Sequence, residues 1–174
     1  MKRILLIALL TLTCHAAHAQ SFGVTIGGRF ELVPDIATRD GSALYVPALG
    51  LEYGLEFRTE QLTVGARVAL SNFVLLYWHL QADLYVGYKL SDGLMPYAGV
   101  GYSIKAPVIG AFSEDLHALL GVRFLSGFFM EVTPGVGFAS VCVPSNQPTG
   151  PSCSGYTSAQ VLLIGLNLGW VLML

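Results

Sequence analysis

Apolar and polar side chains alternate along this chain from Phe22 to its last residue. In the first stretch, every second residue from Phe22 to Leu32 is apolar or glycine, and the residues between are Gly23, Thr25, Gly27, Arg29 and Glu31. A period of two puts these sets on opposite faces of a β-strand. The pattern recurs about eight times and predicts an all-β protein.

The alternation places eight strands at residues 22–32, 45–57, 62–70, 76–90, 96–104, 116–124, 128–141 and from 157 or 158 to 174. The second, fourth and sixth connections are short, and the others are medium or long. Outer-membrane barrels have this asymmetry, with short periplasmic turns and longer external loops. Pro134 lies within the seventh strand and predicts a bulge or a local break in its pairing.

The polar face is rich in glycine and carries charges of both signs, which suits a narrow lumen with lipid outside. Although 53% of the residues are apolar, no continuous apolar run after residue 19 reaches the roughly 20 residues of a membrane helix. Only helices and closed barrels satisfy their backbone groups in lipid. We therefore predict an eight-stranded antiparallel up-and-down transmembrane β-barrel. A soluble barrel with its polar face outward is the disfavoured alternative.

The first residues have the features of an export signal. Lys2 and Arg3 precede an uncharged run, and the small residues Ala17 and Ala19 mark a cleavage site before Gln20. We expect residues 1–19 to be a signal peptide and residues 20–174 to form the barrel domain. Seven basic and eleven acidic residues would remain, a mildly acidic balance that gives no indication of nucleic-acid binding.

Cys142 and Cys153 would remain after cleavage, and the segment between them is rich in proline, serine and glycine. A cysteine pair in an exported loop predicts a disulfide. A metal site is the disfavoured alternative, because neither a histidine nor a second cysteine pair lies nearby in sequence.

Ten charged residues are predicted to form a charge network in the lumen: Arg29, Glu31, Glu52, Glu56, Arg67, Asp83, Lys89, Lys105, Arg123 and Glu131. Five are basic and five are acidic, which favours paired charges that fill the interior of a small barrel. The leading hypothesis is a structural or surface protein, with a narrow porin-like pore as its variant.

Two other functions stay open. His79, Asp83, His117 and Ser103 could supply parts of a catalytic site for a lipid acyl hydrolase or acyltransferase, although their spacing is not diagnostic. The external loops could instead bind a partner or mediate adhesion. Their predicted charges are Asp35, Arg39, Asp40, Glu114 and Asp115, beside the apolar stretch 106–112.

The fifth strand contains Pro96-Tyr97-Ala98-Gly99-Val100-Gly101, and with it the whole pattern resembles the small eight-stranded outer-membrane barrels of the OmpA transmembrane domain, OmpX and OmpW. The resemblance implies a monomer in the outer membrane. Its partners would be lipid and the barrel insertion machinery, without a cofactor. The chain ends in Leu174 rather than in the aromatic residue common in such barrels, and Trp170 lies four residues earlier.

Overall fold

The computed structural model describes residues 21–35, 44–73, 77–107, 113–124, 126–144 and 153–174. The predicted signal peptide lies outside these residues. The eight strands are β1 (Ser21–Asp35), β2 (Leu44–Arg58), β3 (Leu62–Phe73), β4 (Tyr77–Tyr88), β5 (Leu94–Pro107), β6 (Ser113–Phe124), β7 (Phe128–Pro144) and β8 (Cys153–Met173). Each pairs antiparallel with the next, and β8 pairs with β1 to close the sheet. The predicted eight-stranded up-and-down barrel is confirmed.

The pairing register determines the tilt of the strands. A path through directly paired residues leaves β1 at Ser21, crosses all the other strands and returns to β1 at Glu31, ten residues further along. This offset and the strand number tilt the strands by roughly 35–45°, and the interior is then just wide enough for side chains. Among the described residues, no helix has the length and hydropathy needed to cross a bilayer.

The outer surface is apolar. Leu51, Leu84 and Val100 are 60%, 62% and 60% exposed, whereas the residues that alternate with them are mostly buried in the interior. Burying apolar surface is the main favourable term of folding in water. A surface that exposes so many large apolar side chains is therefore suited to hydrocarbon.

Aromatic residues form two bands on this surface. Trp78 and Tyr88 lie ten residues apart on β4, and Phe128 and Phe138 lie ten apart on β7. Ten residues span about 33 Å along a strand. A tilt of roughly 40° reduces this to about 25 Å, the height of the apolar band of membrane barrels.

We call the end of the barrel with the connections 59–61, 89–93 and 125–127 the turn end, and the opposite end the loop end. At the turn end the ring centroids of Phe22 and Phe57 are 4.9 Å apart, and those of Phe128 and Trp170 are 6.2 Å apart. Gly127 makes the last turn possible, because its φ of 86° is one that a residue with a side chain rarely adopts.

Just inside the turn end, aromatic rings cover glycines of neighbouring strands. The Tyr85 ring lies over its paired residue Gly65, and the Tyr97 ring lies over its paired residue Gly121. Phe129 covers Gly169 in the same way. With the buried Leu119, these rings form a section that we call the aromatic layer: Tyr85, Tyr97, Leu119 and Phe129.

Pro134 interrupts the pairing of β6 with β7, as the sequence predicts. The ladder contains His117 with Gly135 and Leu120 with Val132, and it has no pairs between them. The register is the same on both sides of the gap, so the irregularity is a local break rather than a bulge. Proline has no N–H to donate to the ladder, which explains the break.

Most predicted strand boundaries differ from the structure, and the differences are large at two connections. β3 extends to Phe73 and β4 begins at Tyr77, so only three residues connect them. β7 and β8 extend to Pro144 and from Cys153, so both cysteines belong to strands and not to a loop. The turn-forming composition of residues 142–156 predicts a loop, but the pairing of β7 with β8 includes residues up to Pro144 and from Cys153 onward.

The β7–β8 pair projects beyond the rest of the barrel. Pairing of β6 with β7 ends at Ser113 and Ala139, and pairing of β1 with β8 ends at Leu32 and Leu166. Residues 140–144 of β7 and 153–158 of β8 continue as a two-stranded ribbon, which we call the β7–β8 ribbon. Its backbone is paired on one side only within the described part of the chain.

The β1–β8 ladder ends at Leu32, two residues before Pro34. Pro34 has no N–H to donate, and its carbonyl oxygen accepts a hydrogen bond from Lys105 Nζ at 2.8 Å. The buried side chain of Lys105 on β5 therefore satisfies the Pro34 carbonyl near the point where β8 separates from β1.

Candidate functional site

The barrel interior holds nine of the ten side chains that the sequence assigns to a lumen charge network. All nine are buried: Arg29, Glu31, Glu52, Glu56, Arg67, Asp83, Lys105, Arg123 and Glu131. The alternation of the strands puts them there, since their neighbours in sequence face outward.

Arg67 is the centre of the interior. From β3 its Nε donates to Asp83 Oδ2 of β4 at 2.8 Å, and its Nη2 donates across the lumen to Glu131 Oε2 of β7 at 2.6 Å. Nη1 donates to the other oxygen of Glu131, so that contact is bidentate. The guanidinium carbon is also 5.7 Å from the ring centroids of Tyr85 and Phe129.

Arg29 extends this cluster towards β1. Its Nη2 donates to Gln81 Oε1 at 3.2 Å, and its Nε lies 2.5 Å from Glu31 Oε1. Glu52 is held less closely, because its Oε2 lies 3.7 Å from Nη1 of both Arg29 and Arg67 and has no hydrogen-bond partner among the described residues. Glu52 is thus the carboxylate with the weakest contacts in the cluster.

Histidine and carboxylate groups fill the half of the lumen nearer the loop end. His117 lies between two carboxylates, with Nδ1 2.6 Å from Asp115 Oδ1 and Nε2 3.0 Å from Asp83 Oδ1. Asp115 also accepts from Ser103 Oγ and Lys105 Nζ, both at 2.6 Å. His79 Nδ1 lies 2.7 Å from Glu31 Oε2.

Asp115 is a lumen residue that the sequence analysis assigns to an external loop. The structure begins β6 at Ser113, and Asp115 then lies in phase with the inward residue His117. This two-residue spacing from His117 is the signal in the sequence that could have identified it. Glu114, between Ser113 and Asp115, is exposed as predicted for an external residue.

Lys89 does not belong to the network, which corrects the prediction. β4 ends at Tyr88, and the Lys89 backbone N–H donates to Gln61 in the neighbouring turn. Its side chain is 46% exposed and its Nζ lies 2.8 Å from Asp92 Oδ1. The hydrogen bond from Lys89 lowers the pKa of the exposed Asp92 carboxyl. The alternation puts Lys89 inward only if the strand continues, and it does not.

A second group of charges lies at the turn end, where Glu56 accepts from three side chains. Arg123 Nη1 donates to its Oε1 at 2.5 Å, Arg58 Nε donates to its Oε2 at 2.7 Å, and the Tyr85 hydroxyl also donates to it. Arg123 Nη2 donates to Tyr85 Oη at 3.2 Å. Tyr97 Oη donates to Glu131 Oε1 at 2.5 Å, so both tyrosines of the aromatic layer contact the charged groups.

Little open space remains inside. A cavity of about 20 Å³, bounded by His79, Lys105, Asp115 and His117 among others, has room for about one water. At the turn end a wider vestibule of about 580 Å³ reaches inward to Thr63 and Arg123. Within the described residues, Arg67 and the aromatic layer lie between these two spaces.

The geometry gives little support to acyl transfer. A serine nucleophile is activated by an adjacent base, but the Ser103 hydroxyl donates to the Asp115 carboxylate, and both ring nitrogens of His117 face carboxylates. In the part of the chain that the structure describes, no group of three or more histidine, cysteine or acidic side chains could hold a metal ion.

The side chains of Cys142 and Cys153 lie outside the described set. The backbone register pairs Cys142 with Tyr156 and Cys153 with Pro144, beside an irregularity at Val143 and Pro144. The disulfide stays a prediction.

No protein-family model matches the chain, and no curated protein matches it. Among solved structures, the chain is similar to Neisserial surface protein A, with a TM-score of 0.41, 12% identity and coverage of 84% of this chain and 96% of that one. It is similar to Ail, the attachment invasion locus protein of Yersinia pestis, with a TM-score of 0.38, 11% identity and coverage of 87% and 97%.

A further match is OmpT, an outer membrane protein of Vibrio cholerae in its trimer form, with a TM-score of 0.37 and 16% identity. The match covers 89% of this chain, which spans about half, or 52%, of that protein. At these identities and TM-scores the likenesses carry no statement about activity.

The nature of the protein follows from its own surface. A closed antiparallel barrel of eight strands, with an apolar band bounded by aromatic residues and a charged interior, is an outer-membrane type of barrel. The chain is an outer-membrane β-barrel protein.

Proposed function

We propose that this protein is a closed, monomeric scaffold of the outer membrane that does not conduct ions. The observation that carries the proposal is Arg67, which joins β3 to Asp83 on β4 and to Glu131 on the far side of the lumen. A narrow pore needs a continuous water path, and these contacts occupy the place where that path would run.

Energetics favours a closed lumen over a gated one. Arg67 and Glu131 are almost completely buried, and separating a buried ion pair leaves charges without partners. Removing one partner of such a pair typically costs about 3–5 kcal/mol. An ion that crossed the barrel would have to break these contacts, and the cavity beyond them holds about one water.

Conductance of the refolded mature protein in planar bilayers tests this proposal, with a heat-modifiability gel to show that the protein is folded. Folded protein is expected to give no discrete steps. Steps from folded wild-type protein that change when Glu52, the most loosely held carboxylate, is replaced by Gln would establish a narrow pore and contradict the proposal.

The turn end is proposed to face the periplasm and the loop end the outside. The connections at the turn end are three to five residues long, whereas two of those at the loop end have eight. An epitope tag placed in the connection 145–152 should be labelled by antibody in intact cells. A tag between Asp92 and Gly93 should be labelled only after permeabilisation, and the reverse result would refute this orientation.

The β7–β8 ribbon favours a second role, binding at the cell surface. An isolated two-stranded ribbon is only marginally stable in water, and an exposed strand edge can pair with an extended segment of another protein. We propose that a Cys142–Cys153 disulfide stabilises this ribbon, which requires the backbone to shift from the register that pairs Cys142 with Tyr156. Alkylation of thiols in unfolded, non-reduced protein should modify neither cysteine, whereas labelling of both would exclude the disulfide.

The eight-stranded fold and the filled interior of the described residues support membership among the OmpA-like, OmpX-like or OmpW-like small barrels. The proposed partners are then bilayer lipid and the insertion machinery.

A further inference from the structure

The vestibule at the turn end has a cationic lining that the closed-scaffold function does not use. The described residues that line it carry three cationic side chains, Arg58, Lys89 and Arg123, and one carboxylate, Glu60. Its volume of about 580 Å³ lies in the range of about 300–1,000 Å³ typical of small-molecule sites.

The carboxylate that compensates the two arginines does not face the vestibule. Glu56 is bound by both guanidinium groups, and its side chain is completely buried, whereas that of Arg58 is 30% exposed. One negative charge beneath two positive charges leaves one positive charge in excess at the two arginines. The groups above Glu56 are guanidinium groups, and Glu60 supplies the one negative charge among the lining residues that the structure describes.

Both arginines keep donor capacity that Glu56 does not use. Arg123 lines the vestibule and is 7% exposed, and its Nε, which is itself buried, has no hydrogen-bond partner among the described residues. Arg58 Nη1 donates to the sulfur of Met173 at 3.3 Å. Thioether sulfur is a weak acceptor, so an oxyanion would be a much better partner for Arg58.

Lys89 differs from the two arginines. Its Nζ already lies 2.8 Å from Asp92 Oδ1, and both side chains are well exposed. Exposed ion pairs are weak and strongly hydrated. Lys89 therefore contributes charge at the rim but no buried donor.

We propose that the vestibule binds a phosphate group through Arg58 and Arg123. Arginine donors match the oxygens of phosphate, and the apolar side chains of Met95 and Met173 in the same lining could contact a small organic group attached to it. The phosphate could belong to a free phosphate ester or to a lipid headgroup at the membrane surface, which the test distinguishes.

The test uses the full mature barrel folded in a maltoside detergent, which contains no phosphate. Inorganic phosphate is titrated at constant ionic strength while the Arg123 Nε–H resonance is followed by NMR. The resonance should shift and saturate. Arg58→Gln should weaken binding by roughly tenfold, the effect of losing one charge-assisted hydrogen bond. Glu56 keeps Arg123 and Tyr85 in that variant, which should therefore fold.

Lys89→Gln is the matched control, because it removes the same charge from the rim without removing a buried donor. It should change the affinity less than about twofold. Equal weakening by both substitutions would mean general attraction by positive charge and would overturn the site. A lack of saturation with phosphate would overturn it as well.

A second titration with dihexanoyl phosphatidylglycerol identifies the source of the phosphate. Tighter binding of this short lipid than of inorganic phosphate, again lost in Arg58→Gln, assigns the site to a headgroup. Binding of inorganic phosphate alone assigns it to a soluble phosphate. If neither probe moves the Arg123 resonance, the proposal is wrong.

Discussion

The aromatic layer and the ionic cluster around Arg67 fill neighbouring sections of one lumen in different ways. In the aromatic layer, the rings of Tyr85 and Tyr97 each lie over the glycine that is paired with that tyrosine on a neighbouring strand. In the ionic cluster, Arg67 reaches from β3 to Glu131 on β7. One section is closed by the shapes of neighbouring residues and the other by charges from opposite walls.

This difference indicates how each section responds to change. The packing of an aromatic ring over a glycine depends on the local register and on the absence of a side chain at the glycine. Replacing the glycine with alanine, which adds a methyl group there, is therefore the most direct way to perturb it. A buried charge depends on a partner across the lumen, and loss of the partner leaves an unpaired charge. Defects in the ionic cluster should therefore cost more than defects in the aromatic layer.

The largest effect is expected from Arg67→Met, which keeps an unbranched side chain but removes the charge. Asp83 and Glu131 would both lose hydrogen bonds, and the free energy of unfolding should fall by about 3–5 kcal/mol. Urea unfolding in lipid vesicles, followed by tryptophan fluorescence, measures this. Wild-type stability in Arg67→Met would contradict the importance of the cluster.

Adding Glu131→Gln to Arg67→Met should recover part of that loss, because the uncompensated carboxylate is then removed. A double-mutant cycle should give a coupling free energy of about 0.5–3 kcal/mol, as for residues in one network. Strict additivity of the two substitutions would mean that the contact between these residues does not contribute to stability.

An intermediate effect is expected from Gly65→Ala in the aromatic layer. Its Cβ would overlap Tyr85 Cζ, so the ring must move, and overpacking of this kind typically costs about 1–3 kcal/mol. Gly28→Ala is the control, since its Cβ would meet no atom nearer than 4.0 Å. Equal stability of the two variants in urea would refute the close packing of the layer.

The smallest effect is expected at the exposed pair of Lys89 and Asp92, which joins a cation to an aspartate as the buried pair of Arg67 and Asp83 does. Asp92→Asn should unfold at the urea concentration of wild type. The pKa of Asp92 is lowered in the folded state, so any contribution is present above its ordinary pKa and is lost as the pH falls. A clear difference from wild type at neutral pH that disappears in acid would contradict this expectation.

The strands and the direction of most side chains could be predicted because alternation is a local property. It assigns Arg67 and Glu131 to the lumen without information on their partners. Alternation does not show where a strand begins or ends. Lys89 and Asp115 are both in phase with inward residues, but β4 stops before Lys89, whereas β6 begins before Asp115 and includes it.

The partners themselves could not be predicted, because they depend on the closure of the whole barrel. The contact of Arg67 with Glu131 requires the register of the closed barrel. In that register, the pairings that lead once around the barrel from Ser21 return to β1 ten residues later, at Glu31. The cationic vestibule likewise depends on Glu56 lying behind Arg58 and Arg123, which β2 and β6 bring together.

The most direct test of the closed lumen is a solid-state NMR measurement of the dipolar coupling between the Arg67 guanidinium nitrogens and the Glu131 carboxyl carbon in lipid bilayers. A strong coupling is expected, because Nη2 lies 2.6 Å from Oε2. The coupling to the Glu131 carboxyl carbon should disappear in Glu131→Gln, whereas the coupling of Arg67 Nε to the Asp83 carboxyl carbon should remain. Folded wild-type protein without this coupling would mean that the two walls are not joined across the lumen.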